Sequence, residues 1–66
     1  MKYQFNLRAV REGKNITQAQ LVRIMGEPQW RVSRWETDEV KPNADQIIRL
    51  AAALGVTPGM LFERIK

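Results

Sequence analysis

Two stretches of this chain share one punctuation, a hydrogen-bonding cap at the start and a glycine at the end, and that pattern limits the fold more than any other feature. Thr17-x-x-Gln20 fits a capping box, Leu21 and Met25 follow one turn apart, and Gly26 closes the run. Asn43 with Gln46 three residues on opens the second run. Within it Ile47, Leu50, Ala51 and Leu54 repeat at i, i+3, i+4 and i+7, and Gly55 closes it. A turn that needs positive φ costs little at glycine, so both runs stop there and each helix stays short.

Three further segments complete the reading. Tyr3, Leu7 and Val10 at i, i+4 and i+7 predict a helix from about Tyr3 to Glu12, stopped at Gly13 to Asn15. Pro28 suits a first helical turn and opens a segment reaching about Thr37, with Val32 and Trp35 inward. Thr57-Pro58 supplies the cap and first-turn proline of a fifth helix carrying Leu61, Phe62 and Ile65 on one side. The stretch Thr37-Asp38-Glu39-Val40-Lys41-Pro42 reads as a surface loop. No stretch shows sustained two-residue alternation. The expectation is an all-α single domain over residues 1–66, with five short helices, helix 2 at about 17–25 and helix 3 at about 28–37.

Composition narrows the chemistry. Sixty-six residues with 44% hydrophobic and 27% charged side chains fit one small globular core. Without Cys or His there is neither a thiolate nor an imidazole for metal binding or proton shuttling, so no metal and no cofactor is expected. Glu36, Asp38 and Glu39 cluster, but a chain too short to enclose a substrate makes them a helix end and a solvated loop rather than an enzyme site. No segment is long or apolar enough to span a bilayer and no signal-peptide core is visible, which predicts a cytoplasmic protein with no membrane partner.

The net charge of +4 is unevenly placed. Residues 1–34 hold seven basic side chains against Glu12 and Glu27, whereas residues 35–66 hold four basic against five acidic. That asymmetry points to a polyanion facing the first half, beside the plainer reading of a charged, soluble surface. The segment from Gln18 to Thr37, two short helices joined by a tight glycine turn, has the layout that fits the major groove of DNA.

At these residues the sequence resembles the phage-repressor-like helix-turn-helix regulators, the xenobiotic-response-element or Cro-like family. The resemblance rests on Arg11, Thr17-Gln18, Leu21, Met25-Gly26, Val32-Ser33-Arg34-Trp35-Glu36, Lys41-Pro42 and Ala53-Leu54-Gly55-Val56-Thr57, and covers nearly the whole chain. It implies a lambda-repressor-like domain of five helices, with the third in the major groove and the start of the second against the phosphate backbone. It also implies that Arg11 pairs with Glu36, whose carboxylate in a last helical turn opposes the macrodipole and calls for a cation. Four places depart from the family pattern. Val22 replaces a small residue, which predicts a wider helix crossing; Glu27 replaces an apolar residue, Pro28 a Ser or Thr cap, and Thr37-Asp38 an Asn-Gly pair.

A helical wheel of the third segment puts Gln29, Trp30, Ser33 and Arg34 in one arc and Val32, Trp35 and Pro28 in the opposite one. Arg34 can fork guanine O6 and N7, Gln29 can pair with adenine N6 and N7, Ser33 is short and permissive, and Trp30 either presses on thymine methyls or folds back over the turn. Thr17, Gln18, Arg31, Lys41 and Asn43 are the candidate phosphate contacts, at helix starts and in the loop. One reading helix covers too few base pairs to specify a site, so a homodimer on double-stranded DNA is expected, with Ile24, Met60, Phe62 and Ile65 as interface candidates and Phe62 rather at the core's edge. The function so predicted is a sequence-specific DNA-binding regulator, a dimeric repressor on a palindromic operator. A protein-interaction module on the same scaffold, an antitoxin or adaptor anchored by Trp30, is the alternative.

Overall fold

The computed structural model describes residues 2–65. In chain order it contains β1 (Lys2–Phe5), α1 (Leu7–Gly13), α2 (Gln18–Met25), α3 (Gln29–Glu36), α4 (Ala44–Leu54), a 3-10 turn (Pro58–Leu61) and β2 (Phe62–Ile65). Both cap-to-glycine runs are helices with complete reciprocal caps. Thr17 Oγ1 accepts from the Gln20 N–H at 3.1 Å while Gln20 Oε1 accepts from the Thr17 N–H at 2.8 Å. Asn43 and Gln46 exchange the same two bonds, both at 2.8 Å. Gly26 and Gly55 end these helices at φ +67° and +70°, the left-handed region where a Cβ would be strained.

The chain termini correct the five-helix expectation. Tyr3 and Phe5 belong to a strand, so α1 starts at Leu7 rather than Tyr3, and Phe62 and Ile65 lie on a second strand instead of one face of a fifth helix. The strands pair antiparallel, with Lys2 opposite Ile65, Tyr3 opposite Arg64, Gln4 opposite Glu63 and Phe5 opposite Phe62. Their rings on Phe5 and Phe62 meet at 5.4 Å and a 57° tilt, the non-parallel arrangement that aromatic quadrupoles favour. The ladder begins with the Asn6 N–H donating to the Leu61 carbonyl at 2.6 Å. Four-residue segments fit helical and extended periods alike, and the backbone partner that decides between them lies at the other end of the sequence.

The core is built from Leu7, Leu21, Met25, Val32, Trp35, Leu50, Ala51, Leu54 and Leu61, so every helix and the 3-10 turn contributes to it. Trp35 is its largest member and is 1% exposed. Val22 is half-buried against this cluster, between α2 and its neighbours. The α3–α4 loop is exposed from Thr37 to Lys41, but Pro42 is buried, which anchors the end of a segment read from sequence as wholly superficial. Asp38 adopts φ +66°, a left-handed conformation reached without glycine.

Candidate nucleic-acid interface

The face that α3 leaves exposed is set by which residues the core needs. Val32 and Trp35 are inserted, and rotation by 100° per residue then leaves Gln29, Trp30 and Arg34 exposed, with Ser33 half-buried between them. Trp30 is 53% exposed. Its ring carries two guanidinium groups, Arg31 at 5.0 Å and Arg34 at 5.2 Å from the ring centroid. Cations within about 6 Å of an aromatic face are attracted by its quadrupole.

A polar chain joins the outer surface to the interior. Gln29 Nε2 donates to Gln18 Oε1 at 3.3 Å, and Gln18 Nε2 donates to Glu36 Oε1 at 3.2 Å. Glu36 in turn accepts from Arg11 through Nε at 2.6 Å and Nη2 at 3.1 Å, a bidentate fork. The third donor group, Arg11 Nη1, satisfies the Ile16 carbonyl at 2.8 Å, at the entry to α2. Both side chains are nearly buried, Arg11 at 10% and Glu36 at 5% exposure. The hydrogen bond to Glu36 raises the Arg11 pKa above its ordinary value against the opposing effect of burial. A base whose folded pKa is raised contributes stability below its unfolded value and loses it only as pH rises through the folded one, so the pair stays intact at ordinary alkaline pH.

Glu27 makes a set of contacts beside this face that sequence reasoning missed. Standing in the turn between α2 and α3 and 11% exposed, it accepts from Arg31 Nη1 at 2.7 Å, Gln46 Nε2 at 3.3 Å and Arg49 Nη2 at 3.4 Å. The i, i+4 spacing to Arg31 was a visible signal. The reach to α4 was not, because Gln46 and Arg49 are 19 and 22 residues away. Arg31, read as a phosphate contact, thus has one nitrogen committed to this carboxylate and its guanidinium over Trp30.

The other candidates are distributed as follows. Thr17 Oγ1 and Asn43 Oδ1 are engaged as cap acceptors, which leaves the Thr17 hydroxyl proton and the Asn43 amide as donors at the two helix starts. Lys41 is exposed in the α3–α4 loop. Ile24 on α2, Met60 on the 3-10 turn and Phe62 and Ile65 on β2 are all exposed large hydrophobics, so they do not form one element-bound patch. Among the described residues no group of three or more His, Cys, Asp or Glu side chains is placed to hold a metal, and no helix is long and apolar enough to cross a membrane.

A helix-turn-helix family model matches residues 7–61. Among solved structures, the crystal structure of the P22 c2 repressor protein in complex with synthetic operator 9T in the presence of Tl+ is similar, with a TM-score of 0.74 and 34% identity over 83% of each chain. No curated protein matches.

Proposed function

The chain belongs to the phage-repressor-like helix-turn-helix family, and from that premise we propose that it is a sequence-specific double-stranded DNA-binding repressor that reads its site with α3. The observation that carries the reading is the exposed arc of Gln29, Trp30 and Arg34, held on a helix whose other face is locked in the core by Val32 and Trp35. The family and its structural neighbour are repressors rather than enzymes, and the P22 c2 repressor is bound to an operator.

In this reading Gln29, Trp30, Ser33 and Arg34 face base edges, with Arg34 on guanine and Gln29 on adenine. The starts of α2 and α4, with Thr17, Gln18, Lys41 and Asn43, take phosphates, because helix N-termini present free N–H groups and positive partial charge. Arg31 serves a phosphate with the donors that Glu27 leaves over. Arg11 and Glu36 contact no DNA and hold α1 against the end of α3. A second copy supplies the other half-site of a palindromic operator, with Ile24, Met60, Phe62 and Ile65 as the apolar groups available for pairing, and the protein acts in the cytoplasm.

Selection from a random duplex library, repeated at two salt concentrations, tests the proposal. A recovered consensus and an affinity that falls steeply with salt are the expected results. Equal affinity for recovered and random duplexes at moderate salt overturns it.

A further inference from the structure

Glu39 poses an electrostatic problem for a DNA-binding face. It is an exposed carboxylate beside Arg34, on the surface that meets phosphates, where a negative charge lowers affinity. Nonetheless the backbone delivers it there. The Arg34 carbonyl accepts from the Glu39 N–H at 3.0 Å, the Val40 N–H at 3.3 Å and Thr37 Oγ1 at 3.3 Å, so the loop folds back over the last turn of α3. The fold-back runs through Asp38, whose left-handed φ of +66° is uncommon for a side-chain-bearing residue.

The result is an arginine approached from two directions. Glu39 Oε2 lies 3.9 Å from Arg34 Nε, and the Trp30 ring lies 5.2 Å from its guanidinium carbon. A guanidinium can fork a base through Nε and one terminal nitrogen or through the two terminal nitrogens. Glu39 stands on the Nε side at ion-pair rather than hydrogen-bond distance, so its charge favours the orientation that keeps Nε toward the loop and gives the two terminal nitrogens to a base.

Resting on the DNA-reading role of α3, we propose that Glu39 and Trp30 are positioning residues that hold Arg34 for an end-on fork to guanine O6 and N7. The protein accepts a weaker pull on DNA in general for a sharper preference at one base pair. Holding a rotamer-rich side chain before binding removes an ordering cost that corresponds to between about two- and tenfold in affinity.

The experiment compares three duplexes: the one the protein selects, the same duplex with 7-deazaguanine at the guanine whose preference Arg34→Ala abolishes, and a random sequence. For Glu39→Gln two effects of opposite sign are expected. Affinity for the random duplex rises, because a negative charge is gone, while the preference for guanine over 7-deazaguanine falls between about two- and tenfold. Trp30→Leu lowers the preference without raising random-duplex affinity. In an Arg34→Lys background, where no fork exists, Glu39→Gln leaves the preference unchanged. If Glu39→Gln strengthens all three duplexes equally, Glu39 is only a repulsive charge and the positioning role is overturned. A wild-type protein that selects no sequence overturns the DNA-reading role itself, a distinguishable failure.

Discussion

The α2–α3 unit and the smaller terminal sheet are held together by different means. The helical pair is braced by side chains: a nearly buried Arg11–Glu36 fork, the Gln29–Gln18–Glu36 chain, and Glu27 tying the turn to α4. In the sheet a backbone ladder, a tilted aromatic pair and the packing of Phe5 on the core are prominent, and most side chains are exposed. Side-chain bracing fixes orientation, which base reading needs, because hydrogen bonds to base edges tolerate little displacement. A ladder fixes only that two segments stay together, which suffices for closing a small domain.

The largest loss of stability is expected from the brace. Arg11→Ala leaves Glu36 buried without its cation and is expected to cost about 3–5 kcal/mol in denaturant unfolding. A cost no greater than that of an ordinary surface substitution would remove the brace from the argument. Arg34→Ala, in contrast, leaves the melting temperature nearly unchanged and removes about 1–3 kcal/mol of guanine discrimination, measured by competition between matched duplexes.

Phe62→Ala tests the other region. Losing the ring pair is expected to cost about 1 kcal/mol, without altering which sequence a selection recovers. A changed consensus would mean that the sheet, too, sets the orientation of α3. Glu27→Gln frees Arg31 and Arg49 from a carboxylate and is expected to steepen the salt dependence of random-duplex binding by about one phosphate contact. The smallest effect belongs to Arg8→Ala. Its exposed i, i+4 pair with Glu12 is worth a few tenths of a kcal/mol at most, within the error of a thermal melt.

What could be read from the sequence was local. Thr17 with Gln20 and Asn43 with Gln46 are three residues apart, and Gly26 and Gly55 act through their own φ, so the helix boundaries of α2 and α4 were legible without any tertiary information. The exposed arc of α3 follows as well, because burying Val32 and Trp35 fixes the opposite side. Trp30 was ambiguous between groove and turn, since its exposure depends on whether Pro28 and α2 offer it a cavity. Glu27 stood out only as an unusual residue after the turn glycine, and its partners on α4 lie beyond any periodicity.

The sequence by itself therefore determined the short capped helices, the turn between α2 and α3 and which face of α3 is polar, because caps, left-handed glycines and helical periodicity act over four residues or fewer. Only the tertiary structure decided that Lys2–Phe5 and Phe62–Ile65 form a sheet rather than helical turns, and that Glu27 and Glu39 each pair with an arginine of α3. Strand pairing draws its energy from a partner across the whole chain. A carboxylate's choice of cation depends on which side chains packing brings within reach, and no local pattern encodes either distance.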